Sequence, residues 1–449
     1  MYQNYSLFVA QSVNDRFLNT FLIYAMPSSL LNCSFFKLSR KGRSSLHSVW
    51  VSTLLAMGCA LSCALSANAQ EFVRPEVTNS FKAAQDALNA GQAENAITLA
   101  QQTLSLPGIT SVEKPVIQRT LAIAALQVKN FPLAIQTLEA MIQEMPEDTL
   151  AAQKLPLIEA LLSASEQAKD LPRVVNWARI YLKLEGGNLS VRPALIQTLF
   201  FLNRHEEVIQ EIKEKIRLDE ASKVKTPESN LRTLAVSQRQ LKDDAGYNST
   251  LKMLLQNYPT KAYWAESIAR LGRQANFNTR FDLDLYRILE ITGNMQDAVD
   301  YVEMANMALK AGLPAEAARV VELAFAEGKM GKGNDAANHQ KLRQQIQQQL
   351  AEDDKALPAL ERSAKDANTL ASLAEVYAAK QNWNQSQSLF SKALAMGGLR
   401  REAETRLHAG IVLHKLGLKV EAAKMWDSIQ GEATAVQFAQ LWKTWQEQN

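Results

Sequence analysis

The sequence predicts an all-α, right-handed superhelical solenoid of eight or nine antiparallel helix pairs behind a short leader. Three observations predict it. From about residue 77 onward Ala, Leu, Gln, Glu and Lys dominate, which are strong helix formers, and no sustained strand-like alternation appears. Segments of about 12 to 16 residues are punctuated by Gly, Asn, Asp or Pro. The small residue that opens each second helix also recurs at a near-constant interval.

The leader occupies residues 1–69. Arg40, Lys41 and Arg43 form a basic flank, residues 51–65 are an apolar run, and Ala67-Asn68-Ala69 places small residues where a signal peptidase reads. The run is shorter than the ~20 residues of a membrane-spanning helix. Cleavage after Ala69 is expected, with an uncleaved anchor as the alternative. A second apolar patch at 17–25 raises the possibility that translation begins later, at Met26. Ala56-Met57-Gly58-Cys59 faintly matches a lipobox but lacks its aliphatic residue. Cys33, Cys59 and Cys63 all lie in the leader, so the remaining chain has no disulfide, thiol nucleophile or cysteine metal site. Removing the leader's five basic residues and one acid from 49 and 46 leaves 44 and 45, a formal charge of −1. A nucleic-acid partner, which needs a concentrated basic surface, is not expected.

The repeats are read in chain order. Ala84 and Ala87 lead through Gly91 to Ala96, Ala100 and Thr103. Leu121, Ala122 and Ala125 lead through Asn130 to Ala134, Leu138 and Met141, with Pro146 closing the unit. A weaker copy has Asp170, Val174, Ala178 and Tyr181, and another has Val208 and Ile212. Leu234 and Ala235 precede Tyr247, Leu251, Leu254 and Pro259. The clearest unit has Met304, Ala305 and Ala308, the turn Gly312, then Ala317, Val321 and Ala324. Leu373, Ala374 and Tyr377 turn at Asn382 into Ser386, Phe390 and Ala393. Ala409, Gly410 and Leu413 turn at Gly417 into Ala422, Trp426 and Ile429. Equivalent positions fall 38, 40, 34 and 39 residues apart from Ala96 to Tyr247, then 69 from Ala317 to Ser386 and 36 to Ala422. This is the tetratricopeptide (TPR) pattern of small and large positions, whose units bury their apolar faces only by stacking.

Residues 218–230, polar and containing Pro227, read as an insertion. Residues 261–295 read as an irregular pair with a turn at 276–280 and a helix at 283–291. The Gln-rich stretch 331–354 reads as a solvated helix opening a degenerate pair that continues at 355–363. Residues 436–445, with Phe438, Leu441, Trp442 and Trp445, read as a capping helix. The domain division expected is leader 1–69, repeats 70–260, irregular repeats 261–365, and repeats with a cap 366–449.

Roughly residues 190–445 resemble a group of exported bacterial TPR proteins described as components of the TonB system. The resemblance runs through LKMLLQNYPTKAYW (251–264), where Pro259 and Trp264 match the group's helix junction. It continues in LPAEAARVVELAFAEGKM (313–330), NWNQSQSLFSKALAMGGL (382–399), RLHAGIVLHKLGLKVEAAKMW (406–426) and FAQLWKTW (438–445). Residues 265–300 and 331–365 depart from the group's regularity. The resemblance implies a periplasmic role assisting outer-membrane transport, without a catalytic site.

Catalytic patterns are absent from the sequence: no H-E-x-x-H, P-loop, dinucleotide fingerprint or G-x-S-x-G occurs. His408 and His414, six apart, face different sides of one helix and make no metal clamp. His205 and His339 are expected at the surface, as are Asp243-Asp244 and Glu352-Asp353-Asp354, since adjacent helical acids diverge. No cofactor, metal or small-molecule substrate is expected. With the first helix of each pair lining the concave face, Asn306, Lys310, Glu375, His414 and Lys415 are the candidate groove for a protein or peptide partner in the cell envelope. The alternative is an assembly or secretion factor for cell-wall or exopolysaccharide machinery.

Overall fold

The computed structural model describes residues 74–184 and 191–449. The leader, its cysteines and the expected cleavage position lie outside the described residues. Within them the chain is all-α: twenty α-helices and no strand. They form two compact units.

Among the described residues the first unit holds 74–184, 191–226 and 236–242. It contains α1 (Pro75–Asn89), α2 (Ala93–Leu104), α3 (Glu113–Gln127), α4 (Phe131–Gln143), α5 (Ala151–Gln167), α6 (Leu171–Lys183), α7 (Val191–Phe201) and α8 (His205–Ala221). Helix α9 (Glu228–Gln240) divides between the units after Ala235. The second unit adds α10 (Asp244–Asn257), α11 (Lys261–Gly272), α12 (Asp282–Ile291), α13 (Ala298–Lys310), α14 (Pro314–Ala326), α15 (Ala336–Ser363), α16 (Ala367–Ala379), α17 (Trp383–Met396), α18 (Glu402–Lys415), α19 (Lys419–Asp427) and α20 (Ala433–Gln448).

Eight helix pairs share one turn, in which the second residue after the first helix takes a left-handed backbone: Gly91, Lys129, Lys169, Asn203, Lys242, Gly312, Gln381 and Gly417, with φ between 57° and 79°. In seven of them the next N–H closes back onto the carbonyl five residues earlier, as from Asn130 to Ala125 and from Leu313 to Ala308, at 2.8–3.0 Å. Seven of the eight meet this geometry by two recipes, the exception being Asn203, which is followed by Arg204 with no side-chain cap. Where glycine takes the left-handed position, the next residue is Gln92, Leu313 or Leu418 and supplies no side-chain cap. Where lysine or glutamine takes it, the next residue is Asn130, Asp170, Asp243 or Asn382, whose side chain accepts an N–H of the following helix. The asparagine expected as the turn residue is therefore the cap, one place after the turn.

The small positions do what the repeat pattern requires. Ala84, Ala96, Ala134, Ala178, Ala317, Ala324, Ala374, Ser386 and Ala422 are fully buried. Gly410 marks the closest approach: a Cβ there would stand 2.2 Å from Nε1 of Trp426, which itself donates to the Leu407 carbonyl at 3.1 Å. The weak third copy gains a first helix, α5, carrying Leu157, Ile158 and Leu161 into the core despite Pro156. The expected insertion at 218–230 shrinks to the loop after α8, pinned by Thr226 donating to the buried Asp219 at 2.9 Å.

Two expectations are corrected. Residues 331–363 do not make a pair. Helix α15 runs unbroken for 28 residues and buries only His339 and Ile346 among its side chains. No turn-former interrupts it, and Pro358 is accommodated within the helix. Helix α20 also does more than cap. Phe438 stacks on Phe281 at 5.8 Å, Asn278 donates its backbone N–H to Thr434 Oγ1 at 3.2 Å, and Gln448 donates to the Leu255 carbonyl at 2.8 Å. The last helix thus returns to α10, to α12 and to the segment before α12, and the second unit closes on itself.

Candidate functional site

Closure of the second unit encloses a polar seam. Four helices each turn one stripe toward it, with members three, four or seven apart so that they share a face. Helix α12 presents Asp284, Arg287 and Ile291, while Leu283, Tyr286 and Ile288 hold it in the core. Helix α14 presents Glu316, Arg319 and Leu323, α16 presents Glu375 and Ala378, and α18 presents His408, Ile411 and Lys415. Glu290, Trp383 of α17 and Trp442 of α20 complete a cavity of about 380 Å³.

The seam is a chain of shared carboxylates. Arg287 grips Glu316 with a bidentate fork, Nε to Oε1 at 2.9 Å and Nη2 to Oε2 at 2.7 Å, and reaches Asp284 Oδ1 at 3.0 Å with Nη1. His408 contacts Asp284 Oδ1 through Nε2 at 3.0 Å and Glu375 Oε1 through Nδ1 at 2.6 Å. Arg319 forks onto Glu290, its Nη2 donating to Oε2 at 2.8 Å. Asp284 is 2% exposed, Glu316 7% and His408 8%, so the charges survive here only because each has an opposite partner.

Titration follows from that arrangement. Burial alone pushes His408 down, but Glu375 and Asp284 outweigh it and hold the ring well above its ordinary value. At neutral pH it is an imidazolium that donates from both nitrogens. The 3.3 Å approach of Arg287 Nη1 to His408 Nε2 is therefore two donors converging on one carboxylate oxygen rather than a hydrogen bond between them. Burial pushes Asp284 and Glu316 up, yet His408 and Arg287 beside the first, and Arg287 and Arg319 beside the second, keep both below the usual carboxylate range. Lys415 differs. Its side chain is exposed to solvent; among the described residues no acceptor lies within hydrogen-bonding distance of its ammonium, and partial desolvation pushes it below the ordinary lysine value, Glu290 opposing and Arg319 adding.

Of the five groove residues expected from sequence, the structure brings Glu375 and Lys415 to this cavity. His414 lies beside it in an aromatic cluster, 5.2 Å from Trp445 and 6.4 Å from Trp426, with Nδ1 facing Gln446 Oε1 at 2.9 Å. Asn306 and Lys310 sit exposed on α13, away from the lining residues. The reason is a change of phase. Most of the lining comes from alternate helices, α12, α14, α16, α18 and α20, with Trp383 of α17 added, but the unpaired α15 falls among them. Alternate helices are second members of their pairs before α15 and first members after it, so one rule for all pairs selects the wrong layer at α13.

His339 is corrected to a buried residue, 7% exposed, whose Nδ1 accepts from the Gly331 N–H at 3.2 Å. His205 is half-buried against Phe200 and Ser237 instead of lying at the surface. Both caps are tertiary, which helical spacing does not reveal. Asp284, Arg287, Glu316, Arg319 and the role of His408 were missed. The only sequence signal was charge at i, i+3 spacing beside core positions. Among the described residues no group of three or more His, Cys, Asp or Glu side chains is arranged to hold a metal ion, and no helix is long and apolar enough to cross a membrane.

No family model matches the chain, and no curated protein matches it. Among solved structures it is similar to yeast Tom70 (13% identity, 83% of this chain and 96% of that one, TM-score 0.23). It is also similar to a tetratricopeptide repeat protein from Parabacteroides merdae (14% identity, 69% and 99%, TM-score 0.27). A third is the Naa15/Naa10 complex bound to HypK-THB (13% identity, 90% and 73%, TM-score 0.25). TM-scores this low carry no argument, and the TPR-like fold rests on the helix pairs and turns of the chain itself.

Proposed function

We propose that this chain is a non-catalytic protein-interaction scaffold of the cell envelope, exported to the periplasm and accessory to TonB-linked outer-membrane transport. The observation that carries the scaffold reading is the set of eight in-register turns, because stacked helix pairs of this kind present long side-chain surfaces suited to recognition. The export step rests on the leader's basic flank, apolar run and small-residue site. The TonB connection rests on the sequence resemblance over 190–445.

Asn306 and Lys310, exposed positions of the otherwise core-packed α13, are the proposed contact points for a protein partner. The test is affinity capture from an envelope fraction with the full chain and with the Asn306→Ala/Lys310→Ala variant. Recovery of TonB-type energy-transduction proteins or an outer-membrane receptor by the parent, lost in the variant, supports the reading. Recovery of cell-wall or polysaccharide machinery moves the function to envelope assembly or secretion. Equal capture by both forms removes α13 from the contact surface.

A further inference from the structure

We infer that the cavity of the second unit is a binding site for a small organic monoanion with an apolar body, held by the Lys415 ammonium. Its volume of about 380 Å³ lies in the range of small-molecule sites. Its charge layout sets the ligand's charge. Arg287, Arg319 and His408 are each committed to carboxylates of the seam, at 2.6–3.0 Å or closer. Lys415, whose side chain is also exposed to solvent, is the lining cation with no acceptor in reach among the described residues. A polyanion such as a nucleotide or a sugar bisphosphate would meet one free cation and three lining carboxylates, Glu290, Glu316 and Glu375. Such a ligand is disfavoured by like-charge repulsion. A single carboxylate or sulfonate matches one ammonium.

The rest of the lining sets the ligand's body. Trp383, Ile291, Leu323 and Ile411 offer apolar and aromatic surface to whatever the ammonium anchors. Trp442 adds a second feature. It is 2% exposed, it lines the cavity, and its indole N–H has no acceptor among the described residues. The nitrogen itself has no exposed surface, so what Trp442 offers a ligand is ring surface. This ligand is separate from the protein partner proposed above, and Lys415 is not part of the α13 surface.

The experiment is calorimetric titration of the full chain with three monoanions of graded body (acetate, octanoate and 4-phenylbutyrate) and with the neutral amide of 4-phenylbutyrate. Octanoate or 4-phenylbutyrate is expected to saturate one site per chain, with acetate and the amide at least about tenfold weaker. Lys415→Met is expected to lower affinity for the anion about tenfold, to the level of the amide, while Lys415→Arg retains most of it. Ala378→Leu, which narrows the cavity without touching charge, is expected to weaken the anion and the amide alike. Circular dichroism of each variant confirms that it folds. Failure of all three anions to saturate, equal affinity for anion and amide, or indifference to Lys415→Met overturns the assignment.

Discussion

Asp284 and His408 stand 124 residues apart in the chain and 3.0 Å apart in space. Their contact ties α12 to α18 through a carboxylate that Arg287 also holds. Each of these groups is buried enough that the loss of one leaves another charged without its full complement.

His408→Ala should therefore destabilise the second unit by about 3–5 kcal/mol, the range for removing one member of a buried ion pair. The pH dependence has a definite sign. The folded ring titrates well above its unfolded value, so its contribution is full below about pH 6.5 and is lost as pH rises through the folded value. Urea titrations followed by tryptophan fluorescence should show the gap between parent and variant largest at pH 6 and narrowing in alkali. A gap that widens with pH would contradict the assignment of an imidazolium.

Glu113 gives the opposite sign in the first unit. Its carboxylate takes the Arg74 guanidinium, and the N–H and hydroxyl of Thr110, which hold it down at about 2 from an ordinary value of 4.5. Its contribution is complete above about pH 4.5 and is lost as pH falls through 2. Glu113→Gln should be less stable than the parent at pH 7, with the difference shrinking below pH 4.5 and gone near pH 2. Acid titration by circular dichroism reads this directly, and parallel curves for the two proteins would count against it.

At Gly410 the nearest neighbour of an added Cβ is the Trp426 indole at 2.2 Å, a rigid group whose N–H is already engaged. Gly410→Ala should cost about 1–3 kcal/mol as an overpacking change. The same substitution in a Trp426→Phe background should cost less, because the clashing ring atoms are gone. A thermal-denaturation cycle that shows no coupling between the two positions would place the strain elsewhere.

The turns allow a stabilising change. Lys169 holds a left-handed backbone at φ 60°, which costs a side-chain-bearing residue ~1–2 kcal/mol. Lys169→Gly should recover part of that, about 0.5–1 kcal/mol net of the added freedom of the unfolded chain. Gly312→Ala, at φ 75° in the equivalent turn, should lose a similar amount. Both are measured by chemical denaturation, and a destabilised Lys169→Gly would mean the lysine side chain contributes more than the turn costs.

The helix pairs were legible because their information is local. Ala317, Ala324, Ser386 and Ala422 recur at a fixed distance from a turn, and small residues there are what permit the backbones to approach. The cavity was not legible because its information is distributed. Asp284, Glu316, Glu375 and His408 each look like an ordinary charged residue on a helix until closure through α20 brings the stripes together. Their significance depends on which helix layer they occupy. That layer depends on the single unpaired helix α15, which sequence reading split into a pair.

The return of α20 onto α10 and α12 also bears on the order in which the chain acquires its structure. Neighbour-to-neighbour stacking, as in α1 to α6, lets a nascent chain consolidate behind the moving end as each pair is completed. The contacts of Gln448 with Leu255, Thr434 with Asn278 and His408 with Asp284 span 193, 156 and 124 residues. They pair the latest-made residues with much earlier ones. Until they form, Asp284 waits without the His408 imidazolium, and Phe281 waits without Phe438 over it. The second unit is thus obliged to finish late, after its last helix is made.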